Sequence, residues 1–398
     1  MPTIAYDAPP PDTPATPEEV QSRVEDFLST LRARAHSTEK MRRMHPNNLD
    51  SLTNAGVFRL TVPCDVGGYE ADDYTVTEVL AQIARGCPST GWICAIISSF
   101  NSLPAMFGDE AADEIYATPD LRITGAIAPT GAAKPVGDGF QVTGQWKWNT
   151  GGVHSNWVAA TCMTPTRTGT VPIMAVIPES SVTHEDTWYA AGMAGTATGT
   201  VSVKDVFVPG SRTLPMRELT SGTFPQRRYS SNPYFNRPWL MWANVLGAAC
   251  LLGIARGAMQ AFMETLATRG PITFTRWERA AESPLLHHQL AKAQFDLDTA
   301  EMYMERMRLT MRQTLARRAT VFERVKTRAM LGQVATHARA CVNVLFEASG
   351  ASQIMLDADI QRYFRDINVV HQHATIQPNS SNELYGRLLA GLEPEVDF

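Results

Sequence analysis

Cysteines are few in this sequence and lie far apart. Six occur in 398 residues, at positions 64, 87, 94, 162, 250 and 341, and none forms a CxxC pair. This spacing argues against a structural zinc site and against a disulfide framework. We therefore expect no metal, and the thiols suit a reducing, cytoplasmic environment.

Strong charge and long apolar runs are also lacking. The formal net charge is −5, and there is no basic cluster of the kind that binds nucleic acid. The first 19 residues have neither the basic start nor the apolar core of a signal peptide. The most apolar stretch, residues 241–259, is interrupted by glycine and arginine, which favours a buried helix over a membrane span. We predict a soluble protein without a nucleic-acid or membrane partner.

The first part of the chain has the hydrophobic period of helices. Residues 1–14 are proline-rich and predict a disordered lead. Thr16, Pro17 and Glu19 then form a helix-start signal, and apolar residues recur at helical spacing beyond it. The pattern predicts an N-terminal helical domain over residues 15–120.

The period changes after this helical part, so we predict an α+β protein that is mainly α. Short alternating or β-branched runs over 121–216 are typical of a central β domain, a small barrel or sandwich. A polar, aromatic connection at 217–237 leads to a C-terminal helical bundle at 238–398. Its long helices need neighbouring helices or a subunit partner to cover their apolar stripes. The helical patterns cover 238–268, 284–317, 320–349 and 359–372.

One strand of the β domain ends unusually. In GFQVTGQWKWNTGG, residues 139–152, the alternation places Trp146 and Trp148 on one dry face. The strand then changes abruptly to Asn149, Thr150 and two glycines, small residues that allow a flat ligand to approach. A barrel strand that ends in an ordinary turn is the alternative.

The order of a helical region, a β region and a long-helix bundle resembles the acyl-CoA dehydrogenase fold. In that fold a flavin lies between the central β domain and the C-terminal four-helix bundle of a tetramer. Over residues 15 to about 393, four motifs in order also resemble those of flavin-dependent monooxygenases that share the fold. They are CPSTGW at 87–92, APTG at 128–131, DTWYAAGMAGTATG at 186–199 and QRYFRDINVVHQHA at 361–374.

The resemblance implies the oxygenase component of a two-component monooxygenase, similar to 4-hydroxyphenylacetate hydroxylase, dibenzothiophene monooxygenase and amino-sugar nitrososynthase. Such an enzyme binds reduced FMN or FAD (FMNH2 or FADH2) supplied by a separate reductase. It reacts the flavin with O2 to form a C4a-hydroperoxyflavin and then oxygenates a small substrate. We expect a homotetramer that hydroxylates an aromatic or indolic molecule in a specialised pathway.

Three alternatives stay open at the level of the sequence. N-hydroxylation of an amine, as by a nitrososynthase, is the nearest variant. An acyl-CoA dehydrogenase-like oxidoreductase needs a carboxylate base, and Ala374 occupies the position where many dehydrogenases carry it. A flavinless scaffold would keep the fold for assembly alone.

The resemblance assigns two catalytic candidates. His373 occupies the position at which the monooxygenases carry a histidine facing flavin C4a. An imidazole there can hydrogen-bond the oxygenated flavin or help to deprotonate a substrate. Thr150 is the second candidate, with its hydroxyl near flavin N5, and Asn149 is an alternative source of the same contact.

The resemblance also implies contacts to the body of the flavin. Trp188 matches an aromatic residue that packs against the ring, with core packing as the alternative. Either Arg269 or Arg276 supplies a cation for the phosphate. Two turns complete the set: Ala128, Pro129 and Thr130 along the ring edge, and Gly350, Ala351 and Ser352 for the phosphate of a flavin bound by a neighbouring subunit.

Aromatic residues on the helices are candidate walls of a substrate pocket. They would suit a flat substrate, although core packing is the commoner role of aromatic residues at helical spacing. Asn101 stands where several relatives use a pocket histidine, and Ala194 replaces an arginine that is usual in the third motif. The candidate pocket residues are Trp92, Phe100, Asn101, Phe235, Trp239 and Trp242.

Overall fold

The computed structural model describes residues 16–224 and 227–394, which form twelve α-helices and seven strands. The predicted lead at 1–14 lies outside the described residues. The first helix begins at Pro17, where the Thr16 hydroxyl accepts a hydrogen bond from the Glu19 amide at 3.3 Å. The N-terminal helices are α1 (Pro17–Ala33), α2 (Ala35–Met41), α3 (Pro46–Asn54), α4 (Asp73–Gly86), α5 (Pro88–Asn101) and α6 (Asp109–Tyr116).

The strands follow these helices and form one seven-stranded sheet. They are β1 (Ile123–Val136), β2 (Gly139–Asn149), β3 (Trp157–Thr166), β4 (Gly169–Pro178), β5 (Thr183–Glu185), β6 (Gly199–Pro209) and β7 (Thr213–Pro215). Their order in the sheet is β5-β6-β2-β1-β3-β4-β7. Strands β1 and β3 run parallel, and the other neighbouring pairs are antiparallel. Alternating side chains such as Val142, Val158 and Ile177 build an apolar core of this β region.

The end of β2 departs from the simple alternation. Trp146 is 1% exposed, and its indole N–H donates to the Thr161 carbonyl at 2.7 Å, whereas Trp148 is 69% exposed. The backbone is left-handed at Trp148, with φ of 64°, and the pairing with β6 shifts between Trp146 and Asn149. Such an irregularity reverses the direction of the following side chains. The prediction that both indoles share one dry face is therefore wrong for Trp148.

The C-terminal helices are α7 (Met216–Ser221), α8 (Trp239–Thr268), α9 (Pro284–Thr314), α10 (Val321–Ser349), α11 (Asp359–Val370) and α12 (Pro378–Leu389). The long helical patterns in the sequence correspond to α8, α9 and α10, and the shorter one to α11. Helix α12 had no predicted counterpart. It begins at Pro378, with the Gln377 side chain accepting from the amides of Asn379 at 2.7 Å and Ser380 at 3.4 Å.

Helix α8 lies at the centre of the molecule and contacts α4, α5, α10 and α11. It is long and apolar enough to cross a membrane, but 83% of its most apolar window is buried inside the protein. A helix that is apolar all round is expected in such a central position. A Cβ on Gly253 would lie 2.2 Å from the Ala81 carbonyl oxygen, so glycine is what lets α8 approach α4 this closely.

Candidate active site

Two cavities meet near the centre of the protein. The first, which we call the α8 cavity, has a volume of 410 Å³ and lies between α5, β1 and α8. The second, the α11 cavity, has a volume of 610 Å³ and lies between the end of β2, the loop 188–198 and α11. They share a wall, which we call the junction. The junction consists of Trp92, Trp148, Thr150, His373 and Ala374.

The α8 cavity has mostly apolar walls. Three of the predicted pocket residues, Trp92, Phe100 and Trp239, line it, and Ile127 and Leu240 add aliphatic surface. No aspartate or glutamate belongs to the described lining of either cavity. The α8 cavity therefore suits a small, flat, uncharged body with few polar groups.

Asn244 is the exception on the α8 wall. Its side chain is 4% exposed, and it lines the cavity one helical turn from Gly247. No hydrogen bond of its carboxamide is present among the residues that the structure describes. The carboxamide therefore faces the cavity without a protein partner and is available to a polar group of a ligand.

The α11 cavity includes an anchored loop. The Trp188 indole N–H donates to the Met193 carbonyl at 2.9 Å, and the Met193 amide donates to the Asp366 carboxylate. Arg365 donates to the Ala191 carbonyl at 3.1 Å. These contacts hold the loop 188–198 against α11, and Trp188 forms part of the cavity wall.

His373 lies at the junction, with its ring edge-on to Trp92 at 5.3 Å between centroids. Its Nδ1 lies 2.9 Å from the Thr375 hydroxyl and accepts from the Thr375 amide at 3.3 Å. Because Nδ1 accepts, the proton of the neutral ring is on Nε2. Desolvation by the surrounding protein, together with Arg328, lowers the pKa of His373 to about 4. The residue thus offers an uncharged N–H donor at neutral pH.

Thr150 reaches the same junction from the end of β2. Its hydroxyl lies 3.0 Å from the hydroxyl of Thr198, which lies 2.7 Å from the hydroxyl of Thr196. The Thr196 hydroxyl donates to the Met193 carbonyl at 2.8 Å. All three threonines are buried, and all three line the α11 cavity.

Of the other residues predicted to contact the flavin ring, some line a cavity and others lie in the surrounding protein. Ala128 and Pro129 line the α8 cavity, whereas the Thr130 hydroxyl donates to the Gln145 carbonyl at 2.8 Å, outside the described linings. Asn149 is buried beside a separate cavity of 110 Å³, and its Oδ1 accepts from the Thr124 hydroxyl at 3.0 Å. Of the neighbouring pair, Thr150 reaches the junction and Asn149 does not.

Three predicted pocket residues lie in the protein core instead. The Asn101 carboxamide donates to the carbonyls of Phe58 and Leu121, both at 2.8 Å, and accepts from the Ile123 amide at 2.9 Å. It is therefore a buried structural link with no free polar group. Phe235 and Trp242 are also buried, outside the described linings of both cavities.

The predicted phosphate contacts lie elsewhere on the chain. Arg269 donates to the Ala348 carbonyl at 2.7 Å, and a Cβ on Gly350 would lie 2.5 Å from its Nη2. Arg276 instead lies over its neighbour Trp277, with the guanidinium carbon 5.7 Å from the ring centroid. The structure thus brings Arg269, and not Arg276, to the turn of Gly350, Ala351 and Ser352. The turn lies outside the described linings of both cavities in its own chain.

Sequence reasoning missed several polar or aromatic wall residues, and four of them matter most for the site. Thr196 and Thr198 lie in the motif at 186–199, but the sequence predicted no role for them. Trp148 was assigned to the wrong face of its strand. Asn244 had a usable signal, since it is the one amide in the apolar run 241–259. A lone amide among apolar residues at helical spacing indicates either a buried link or a ligand contact.

Known proteins are similar to this chain over most of its length. The family described as "Acyl-CoA dehydrogenase, N-terminal domain" matches residues 14–120, and "Acyl-CoA dehydrogenase, C-terminal domain" matches 245–378. The flavin-dependent monooxygenase oxygenase subunit HsaA of Rhodococcus jostii is 32% identical over 92% of this chain and 96% of its own. The chain belongs to this family of flavin-dependent monooxygenases. The predicted fold and enzyme class are thereby confirmed.

Two further relatives extend this result. The oxygenase component of the FADH(2)-dependent resorcinol hydroxylase of Rhizobium is 29% identical over 94% of this chain and 95% of its own. The solved structure of XiaF from Streptomyces, in complex with FADH2 and glycerol, has a TM-score of 0.87, 26% identity, and coverage of 96% and 97% of the two chains. The monooxygenase is accordingly an oxygenase component that uses reduced flavin and O2, which implies a separate flavin reductase.

The residues of the α11 cavity fit a flavin. Trp188 and Phe364 offer aromatic surface to a planar ring, and Thr150 and His373 offer a hydroxyl and an N–H at its inner edge. Bound reduced flavin supplies the two electrons with which O2 is activated. The protein contributes orientation, hydrogen bonds and mostly apolar cavity walls.

Proposed function

We propose that this monooxygenase hydroxylates a small aromatic or indolic substrate in a specialised pathway, using reduced FMN or FAD. The flavin ring occupies the α11 cavity, and the substrate occupies the α8 cavity. The observation that carries the proposal is the junction, where both cavities reach His373 and Thr150. One oxygen atom of O2 enters the substrate, and the other leaves as water at the expense of the flavin's two electrons.

The substrate class follows from the walls of the α8 cavity. Trp92, Phe100 and Trp239 provide flat apolar surfaces, which favour an aromatic ring. Asn244 can both donate and accept, so it matches a phenolic hydroxyl or an indole N–H on that ring. The similarity to a resorcinol hydroxylase supports a phenolic substrate.

His373 and Thr150 are the proposed catalytic residues at the junction. His373 donates Nε2–H to the oxygen being transferred, and its low pKa keeps the donor uncharged at neutral pH. Thr150 holds the inner edge of the flavin ring. Trp188 packs on the ring, and Arg269 with the turn at 350–352 serves the phosphate of a flavin in a neighbouring subunit.

N-hydroxylation of an amine remains the second candidate reaction. It would use the same two cavities and the same cofactor, with an amine in place of the phenol beside Asn244. Acyl-CoA dehydrogenation is less well supported, because the described linings hold no carboxylate to remove a proton and Ala374 occupies the junction.

The assembly we propose is a homotetramer in the cytoplasm. Helix α9 carries a row of exposed apolar side chains at seven-residue spacing, Phe295, Met302 and Leu309. Phe295 is 71% exposed and Met302 is 72% exposed, and such a stripe is expected to be covered by another subunit. The six cysteines are all free, which suits a reducing compartment.

Anaerobic loading followed by oxygen tests this function. The protein is mixed with reduced FMN or FADH2 and then with 18O2-containing buffer and panels of phenols, indoles and amines. We expect one 18O atom in a phenol or indole product. Labelled hydroxylamine from the amine panel alone would favour the second reaction. Reoxidation of both flavins without any labelled product would contradict the proposed function.

A further inference from the structure

The three threonines at the junction form a chain of hydroxyls that ends on a carbonyl. Thr150, Thr198 and Thr196 are linked at 3.0 Å and 2.7 Å, and Thr196 lies 2.8 Å from the Met193 carbonyl oxygen. A hydroxyl has a single proton to donate, whereas a carbonyl only accepts. The carbonyl therefore gives the chain a preferred direction.

The direction follows from assigning each proton once. Thr196 donates to Met193, so the bond between Thr196 and Thr198 must use the proton of Thr198. The bond between Thr198 and Thr150 must then use the proton of Thr150. In this arrangement every hydroxyl proton has a partner, and Thr150 presents only lone pairs to the ligand in the cavity.

The reverse direction makes one hydrogen bond fewer within the protein. Thr196 would donate to Thr198 and Thr198 to Thr150, which frees the Thr150 proton for the cavity. The bond from the Thr196 hydroxyl to Met193 would be lost, and the carbonyl would keep the Trp188 indole at 2.9 Å and the Thr196 amide at 3.1 Å. One net hydrogen bond corresponds to about a fivefold preference for the first arrangement.

We propose that Thr196 and Thr198 are positioning residues that present Thr150 as a hydrogen-bond acceptor, so that the site selects a ligand with an N–H facing it. This inference rests on the proposed placement of the flavin at the junction. The isoalloxazine N5 carries a proton when reduced and a lone pair when oxidised. An acceptor at that edge favours the reduced ring and disfavours the oxidised one.

Such a preference suits an enzyme that takes up reduced flavin and releases oxidised flavin in every turnover. The hydroxyl chain would act on both steps, since Thr150 can donate a hydrogen bond to oxidised flavin only if one hydrogen bond of the chain is given up. Because Thr196 and Thr198 act through Thr150, their effect is expected in the ratio of the two flavin affinities, and only indirectly in the rate.

The test compares Kd for oxidised and reduced flavin, measured anaerobically with FMN and with FAD by titration calorimetry. The variants are Thr198→Val and Thr196→Val, each of which frees a proton of the chain, and Thr198→Ser, which keeps the hydroxyl. We expect the ratio of the oxidised to the reduced Kd to fall about fivefold in both valine variants and to stay near the wild-type value in the serine variant. Circular dichroism melting curves establish that each variant is folded.

The outcomes separate this inference from the proposed function. Wild-type protein that binds reduced flavin, with an unchanged ratio in the folded valine variants, would overturn the role of the two threonines and leave the function intact. Equal loss of both affinities in the valine and serine variants would also overturn it, because that pattern reflects packing. Failure of the wild-type protein to bind either flavin state would overturn the flavin placement and the inference together.

Discussion

His373 and Asn244 show how a single side chain acquires a chemical role from its surroundings. Each is polar, each reaches the α8 cavity, and neither carries a charge at neutral pH in this environment. His373 faces the cavities, and desolvation by the protein packed around it, together with Arg328, lowers its pKa. Asn244 is uncharged because its polar group is a carboxamide. An uncharged donor can stabilise a developing oxygen charge without attracting bulk water into the cavity.

Substitution of His373 by alanine is expected to lower the yield of hydroxylated product per flavin oxidised by about 100-fold, the range of one general acid or hydrogen-bond donor. His373→Gln keeps an N–H donor and should recover part of the loss. The pKa of His373 is about 4, so its ring stays neutral over the tested pH range. The product yield of the wild-type enzyme should therefore show no titration near pH 6.5 that depends on His373. Product quantification against oxygen uptake, between pH 5.5 and 8.5, measures this.

The matched control is His371→Ala, since His371 is close in sequence but lies outside the described linings of both cavities. It should retain the wild-type yield. A His373→Ala variant with undiminished product, or a transition near pH 6.5 that depends on His373, would remove this histidine from the proposed role.

Replacement of Asn244 by leucine is expected to raise KM for a phenolic or indolic substrate about tenfold, because the buried polar group of the substrate loses its partner. Affinity for reduced flavin should stay the same, since Asn244 lines the α8 cavity only. Steady-state kinetics and a flavin titration measure the two effects. An unchanged KM for every accepted substrate would contradict the contact.

At the scale of elements, the loop 188–198 depends on α11 for its position. Gly192 lies directly against this helix, because a Cβ there would lie 2.3 Å from the Arg365 carbonyl oxygen. The Met193 amide and the Ala191 carbonyl are both hydrogen-bonded to α11 residues. Trp188 and the threonine chain are therefore positioned by a helix far away in sequence.

Gly192→Ala is expected to destabilise the protein by about 1–3 kcal/mol, the usual range for overpacking, and to weaken flavin binding because the loop must shift. Gly386→Ala is the control, since a Cβ there meets no atom within 4 Å. It lies within α12 and should not lower stability. Thermal unfolding and flavin titration of both variants test this, and equal behaviour of the two would show that Gly192 does not anchor the loop.

Three elements show why local pattern predicts some structure well and other structure poorly. Helix α8 was predicted over nearly its whole length because a long apolar run leaves few alternatives. Helix α12 was missed because its start depends on a proline and a glutamine cap more than on an apolar stripe. The end of β2 was misread because a left-handed residue at Trp148 breaks the alternation, and tertiary contacts determine such a break.

At the scale of the whole molecule, the apolar stripe on α9 predicts subunit association. Phe295→Lys combined with Met302→Lys should convert the proposed tetramer into smaller species, because two charges would have to be buried at the interface. Ser22→Lys, at an exposed polar position on α1, is the control and should leave the assembly unchanged. Light scattering coupled to size exclusion measures the mass. A wild-type monomer, or a double variant of unchanged mass, would contradict the tetramer.

Much of this protein follows from its sequence alone. Hydrophobic period, helix caps and four ordered motifs predicted the helical, β and helical regions and the flavin monooxygenase class. They also singled out His373, Thr150, Trp92, Phe100, Trp239 and Trp188, all of which line one or both cavities. These features are local, or they repeat patterns that are typical of a known family.

Only the tertiary structure decided which polar groups remain available. Asn101 resembles Asn244 as a residue, yet its amide nitrogen and oxygen both have partners from other segments, while the Asn244 carboxamide has none among the described residues. The direction of the Thr150 hydroxyl likewise depends on the Met193 carbonyl, 43 positions away in the chain. Hydrogen-bond satisfaction is a property of neighbours in space, and a linear sequence does not specify those neighbours.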